Sequence, residues 1–413
     1  MSNRKIVWNK KALLFLPLLW LFPIAELLSK SYGIGPLGSY DEVIVMIGTM
    51  VVAWNFFKIW RYSYFRVIIC CLFGVVLIGV LSNIYCWVSV GAFDIMIDIL
   101  TFIKRWIVFF FFFLVPDKAK REIITRSKNI SRFVIILIFS MSLITQIIPS
   151  FGTGETLSFL KAYGFIWENG AQTLWLISGS MLLLLHNDSK KNDKLLIMWA
   201  VISFLTLKTT SWCAIMLYYG IYILIRNKRK IKTGHLVVLG ILLLVCAYSA
   251  IRTYFIDDVN SPRLVLILFG FITANTFFPL GAGFGTYGSA VANKLYSPLY
   301  IRYGFRKSYA LSNLEGGGTV LNDNYLGMLA GQFGYIGIFL TLLMLICFFL
   351  YLNNEKFNST REKAFALSTY FTILTTMVAS ATSNSSMGVW VMAVLGIVCS
   401  NENRGKTSTV LER

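Results

Sequence analysis

The chain has 413 residues, 57% of them hydrophobic and only 14% charged, with a formal net charge of +19. Soluble domains carry about 25% charged residues, so a water-exposed fold is excluded and bilayer hydrocarbon is the solvent these side chains require. The excess of cations does not describe a nucleic-acid surface either, because they collect in loops between apolar runs, where membrane insertion places them.

The N-terminus carries Arg4, Lys5, Lys10 and Lys11 and then a long apolar run with no small-residue cleavage site behind it. This predicts a first span rather than a cleaved leader. Runs long enough for a hydrocarbon core of about 30 Å follow near 12–30, 43–60, 66–90, 93–115, 133–150, 171–186, 194–208, 210–225, 235–251, 325–352, 364–381 and 386–400. The expected fold is all-α: a polytopic bundle of about twelve spans forming a single membrane domain over residues 1–413. Lys104 and Arg105 fall inside the fourth run. They either mark a shorter span entered from the surface or face a polar interior.

With the N-terminus inside, 27 of the 38 Lys and Arg residues fall in the proposed inner segments and nine in the outer ones, a bias that sets orientation. A further apolar run, 264–278, would reverse every later loop if it crossed. It is therefore expected to dip in, or lie along the outer face, and return, which backbone tolerates where it packs on protein or lines a cavity. Both termini are then cytoplasmic, and two outer excursions remain, about 150–170 and 252–324. The seven cysteines lie mostly in apolar runs without CxxC or Cys/His spacing and read as packing residues, so neither a metal nor another cofactor is expected.

The outer loops hold the candidate chemistry. The shorter contains Lys161 and Glu168 just before a span. The longer contains Arg263, a glycine-rich stretch Pro279-Leu-Gly281-Ala-Gly283-Phe-Gly285-Thr-Tyr287-Gly288, a basic, tyrosine-rich segment with Arg302, Arg306 and Lys307, and Asn322-Asp323-Asn324 before the next span. Arginine forks bind phosphate oxygens bidentately, tyrosines suit sugar rings, and Glu168 or Asp323 could take a proton from a hydroxyl. The bland readings stand beside these. Arg302, Arg306 and Lys307 also suit interface anchors, and Asp323 suits a helix N-cap. The glycine run follows no strand and precedes no Gly-Lys-Ser/Thr, so it is no nucleotide fingerprint.

Three segments, covering about a quarter of the chain, resemble the O-antigen polymerase and O-antigen ligase superfamily of bacterial membrane glycosyltransferases. They are Lys161-Ala-Tyr-Gly164-Phe165-Ile-Trp167-Glu168-Asn169-Gly170; Ser261-Pro-Arg263 with Pro279-Leu-Gly281-Ala-Gly283-Phe-Gly285; and Asp323-Asn324-Tyr325-Leu326 with Gln332-Phe-Gly334-Tyr-Ile-Gly337. The resemblance implies an undecaprenyl-pyrophosphate-linked oligosaccharide as substrate, with Arg263 and Lys161 toward the pyrophosphate and Arg302, Arg306, Tyr287 and Asn324 toward substrate. It also implies membrane lipids, a chain-length regulator and a flippase as partners, and no nucleic acid. Lys161 departs from the family's arginine. Ligases usually carry a histidine where Asp323 stands, and the two histidines here, His186 and His235, belong to the predicted inner face. The resemblance therefore favours a polymerase, with Asp323 as the base. A flippase of lipid-linked sugars is the alternative from another class, although no repeat of halves, as many transporters show, is visible.

Overall fold

The structure is a computed structural model that describes residues 10–32, 40–148, 156–157, 160–164, 170–186, 192–226, 231, 233–252, 256, 261–313, 320–379 and 385–399. The elements run α1 (Lys10–Tyr32), α2 (Tyr40–Trp54), α3 (Phe56–Trp60), α4 (Ser63–Tyr85), α5 (Ala92–Phe113), α6 (Asp117–Ile147), β1 (Thr156–Leu157), β2 (Leu160–Lys161), α7 (Gly170–Leu185), α8 (Asp193–Leu205), α9 (Thr209–Arg226), α10 (Thr233–Ile251), α11 (Pro262–Thr276), α12 (Ala290–Leu295), α13 (Pro298–Arg302), α14 (Tyr325–Asn354), α15 (Thr360–Ala379) and α16 (Ser386–Val398), with two single 3-10 turns at 305–307 and 309–311. The fold is all-α apart from one two-residue antiparallel pairing, β1 with β2. Among the described residues three helices, α4, α6 and α14, are by themselves long and apolar enough to cross a membrane, and α7, α11 and α16 are shorter apolar helices.

The apolar runs become helices close to where their composition places them. The largest departure is α6, whose apolar part begins near 133 but whose helix begins at Asp117. Half of residues 117–132 are good helix formers (Lys, Arg, Ala, Glu), with no Gly or Pro to stop the helix, so the basic loop is the helix's own first half. Its buried face includes Ser127, which accepts a 3.0 Å hydrogen bond from Trp20 Nε1 of α1. The centre of the bundle is α7, with every residue from Gly170 to Leu185 buried. α16 packs against both α7 and α5, and the Phe109–Phe113 run of α5 is wholly buried, with Phe109 edge-on to Phe348 and Phe113 edge-on to Phe65. Such geometry adds about 0.5–1.5 kcal/mol per pair beyond area burial.

Contacts between loops sort them by end. Lys120 Nζ donates to the Cys399 carbonyl, His186 Nδ1 meets Glu362 Oε1 at 2.6 Å, Arg361 pairs with Asp193, and Asn353 exchanges hydrogen bonds with the backbone of Ile231. These are the segments whose positive charge predicts a common inner side. The run at 264–278 does not carry the chain to that end. Arg263, at the start of α11, and Asp323, sixty residues later, lie 3.6 Å apart, so the whole intervening excursion leaves and returns at one place.

The excursion is organised around a break in α14. Gly334 has φ 59° and ψ −160°, a conformation costly for residues with a Cβ, and it divides α14 into a short arm, 325–333, and a long arm, 335–354, the latter about 30 Å long at 1.5 Å per residue. The break frees carbonyls, and the glycine-rich loop takes them up: Ala282 N donates to Gly331 O and Gly283 N to Gln332 O, both at 2.8 Å. Gly281, Gly283, Gly285 and Gly288 all adopt positive φ, which lets the loop follow the helix backbone this closely. From the other side Asn83 of α4 clamps Phe284 at both amide groups, at 2.8 Å each, and Ser82 Oγ donates to Leu280 O.

Candidate active site

A cavity of about 480 Å³ lies between α2, α5, the start of α12 and the short arm of α14. Its wall carries the carboxylates Glu42, Asp94, Asp98 and Asp323, the cations Lys104 and Lys294, and the uncharged polar groups Thr101, Ser289, Asn322 and Gln332. The polar residues that α5 contributes, Asp94, Asp98, Thr101 and Lys104, are spaced by four, three and three, which places them on one helix face. The charge that composition left ambiguous therefore faces a polar interior. Lys104 Nζ is 2.8 Å from Asp41 Oδ2, both side chains nearly buried, and Arg105 is buried, its Nη2 donating to the Tyr325 hydroxyl at 2.5 Å.

Asp98 fixes the floor. Its Oδ2 accepts from Gly285 N at 2.6 Å and from Gln332 Nε2 at 2.9 Å, so one carboxylate oxygen joins α5, the glycine loop and the short arm of α14. Hydrogen bonds to a charged acceptor contribute about 1.5–3 kcal/mol each, enough to hold a loop whose glycines would otherwise leave it pliable.

Asp323 stands at the rim, half-buried. Burial pushes its carboxyl above the ordinary carboxylate range, and the Arg263 guanidinium beside it draws the value back down. It is not the helix cap. That position is Asn324, whose Oδ1 accepts from Gly327 N at 2.7 Å while its Nδ2 reaches the Arg263 carbonyl. With the capping position occupied by its neighbour, the Asp323 carboxylate is left facing the cavity.

The other predicted site residues lie elsewhere. Lys161 is tied to the end of α6: its backbone N–H donates to Gln146 Oε1 and its Nζ to the Gln146 carbonyl, at 3.0 and 3.2 Å. Arg302 lies over the Trp87 ring and Arg306 over the Tyr296 ring, at 5.2 and 5.9 Å. Tyr287 is fully buried and donates to the Leu266 carbonyl at 2.7 Å. It packs against Tyr300, which in turn stacks on Phe305. The tyrosine-rich segment thus builds the small core of the excursion and does not offer rings to a sugar in the cavity. Burial raises the Tyr287 and Tyr300 phenols well above their ordinary range. Glu168 falls outside the described residues.

Of the residues singled out from sequence, then, the fold brings together Arg263, Asp323 and Asn324. The acidic wall contributed by Glu42, Asp94 and Asp98 was missed. The signal was present as the one-face stripe along α5, but within an apolar run its charges read as exceptions rather than as a lining. No cluster of three or more His, Cys, Asp or Glu side chains arranged to hold a metal occurs among the described residues. Neither a protein-family model nor a curated protein matches the chain.

Proposed function

We propose that the chain is a membrane glycosyltransferase of the polymerase type, which moves an oligosaccharide from an undecaprenyl pyrophosphate carrier onto the terminal sugar hydroxyl of a second lipid-linked unit. The observation that carries this reading is Asp323: an uncapped, half-buried carboxylate on the cavity wall, 3.6 Å from an arginine. In the reaction the acceptor oxygen bonds to the anomeric carbon and the bond from that carbon to the pyrophosphate oxygen breaks. The hydroxyl proton passes to the Asp323 carboxylate, and the carrier leaves as its pyrophosphate. A carboxylate whose affinity for protons is raised by burial is better matched to this step than one in water.

The wall chemistry supports a division of labour. Carboxylates and amides accept from and donate to sugar hydroxyls, but Glu42, Asp94 and Asp98 would repel a pyrophosphate. The glycan therefore belongs in the cavity and the anion at its edge, toward Arg263. In this reading about twelve spans cross a bacterial inner membrane, both termini are cytoplasmic, and the cavity opens on the periplasmic side. Arg302, Arg306 and Lys161 shape that outer face, and membrane lipids, a chain-length regulator and a flippase are its partners.

The test is a length profile of surface polysaccharide in a host from which the chain is deleted and then restored. Asp323→Asn should leave single-repeat glycan and no ladder, while the wild-type chain restores the ladder. Ladders of wild-type length in the deletion strain would end the proposal, and substrate trapped at the inner leaflet would instead identify a flippase.

A further inference from the structure

The short arm of α14 is a partition. One of its faces, Met328 and Gln332, belongs to the acidic cavity. The other, Tyr325 and Leu329, belongs to a second cavity of about 410 Å³ that runs between the short arm, the long arm and α15. This groove is almost purely apolar, walled by side chains such as Leu342, Leu345, Phe349 and Phe371. Leu342 is half exposed at its edge, so the groove is open along its side. Its size is that of a ligand site.

Arg105 stands at the head of the groove, behind Tyr325. The guanidinium carbon is 4.9 Å from the Tyr325 ring and 5.8 Å from that of Trp106. The residue is 1% exposed. One nitrogen bonds the Tyr325 hydroxyl, while Nε and Nη1 have no hydrogen-bond partner among the described residues, and no carboxylate there pairs with it. A buried guanidinium with two idle donors is costly unless an anion completes it. The two aromatic faces offset only part of that cost.

We infer that the groove seats the hydrocarbon chain of a phosphate-headed lipid, with the phosphate held by the Arg105 guanidinium once Tyr325 turns aside. This rests on the glycosyltransferase reading for its meaning, since it sets the carrier on one side of the short arm and the glycan on the other, meeting at Asp323. It adds to Arg263 a second cation for the carrier, inside the helices, and the path of its chain. An apolar groove alone would suit any lipid; the unpaired guanidinium at its head selects an anionic phosphate.

The experiment measures binding to the full-length protein in detergent, with a fluorescent polyprenyl phosphate carrying no sugar as the probe. Polyprenol and inorganic pyrophosphate serve as competitors. Leu342→Trp, which fills the groove from its exposed edge, should weaken probe binding at least tenfold. Arg105→Gln should weaken the phosphate probe similarly while leaving competition by the uncharged polyprenol unchanged; Arg105→Lys should restore part of the loss. Unchanged probe binding in Leu342→Trp, or pyrophosphate displacing the probe as effectively as the unlabelled lipid phosphate, would overturn the inference. The glycosyltransferase reading fails separately: Asp323→Asn retaining a full polysaccharide ladder would remove it and leave the lipid site standing.

Discussion

At the scale of single residues, the pair Arg263 and Asp323 has a pH signature. Burial raises the carboxyl and the arginine lowers it, so a rate requiring the ionised form rises with pH through a value above that of a free aspartate. Removing the arginine removes the opposing effect. Arg263→Gln should therefore move the acid limb of polymer formation to higher pH, measured on purified protein with a synthetic lipid-linked repeat; a limb that stays in place would detach the arginine from the carboxylate. The sign for folding runs the other way. A carboxyl raised in the folded state binds its proton more readily there than in the unfolded chain, so its stabilising contribution is present at low pH and lost as pH rises toward the folded value. Asp323→Asn should consequently leave the unfolding temperature at neutral pH unchanged or higher, even as chain growth stops. Arg302 and Arg306 are expected to behave differently. Each rests on an aromatic ring at the surface of the excursion, Trp87 exposed and Tyr296 half-buried, an interaction of about 0.5–1 kcal/mol, and substitution by alanine should preserve the polysaccharide ladder.

At the scale of elements, the break in α14 and the glycine loop are one device. A Cβ at Gly334 would lie 2.4 Å from the Pro279 carbonyl oxygen, and the backbone there is one that side chains resist. Gly334→Ala should cost at least about 1–3 kcal/mol, seen as a lowered unfolding temperature in detergent, and should displace the loop from Asp98. Asn83→Ala, which removes both bonds to Phe284, should destabilise by about 1–3 kcal/mol through the groups it leaves unpaired; no change would mean water replaces the clamp. These elements also show what the sequence could and could not disclose. Gly281, Gly283 and Gly285 are residues suited to close backbone approach, but nothing in their spacing names Gly331 and Gln332 as what they approach. Asp323 and Asn324 are both good caps, and composition cannot choose between neighbours whose side chains accept alike; only the bond to Gly327 does. The tyrosines pointed to sugar because outer loops are expected to be wet, whereas residues 287–311 bury a small core of their own.

At the scale of the molecule, the count of basic residues is a reading independent of any motif. It separated 264–278 from the other apolar runs without reference to its hydropathy, which resembles theirs, and the contact between Arg263 and Asp323 gives the geometric form of that separation. Orientation across a bilayer can be tested directly. Lys307 and Lys356 are both exposed and belong to segments read as outer and inner. In intact cells a membrane-impermeant thiol reagent should label Lys307→Cys and spare Lys356→Cys until the membrane is permeabilised. Equal labelling of the two would overturn the assigned orientation.

The meeting of Arg263 with Asp323 also bears on how such a chain can vary. Because the excursion begins and ends at a single point, its contents are neutral with respect to the direction of every later helix. Lengthening, shortening or rebuilding residues 264–322 changes no parity downstream, whereas adding one crossing anywhere else would invert all that follows. What the later helices require of this segment is only the closure of its ends, while its glycine loop is held separately by Asn83, Asp98 and the break in α14. Within the excursion, the positions tied to neither the glycine loop nor its small core are thus the ones at liberty to diverge.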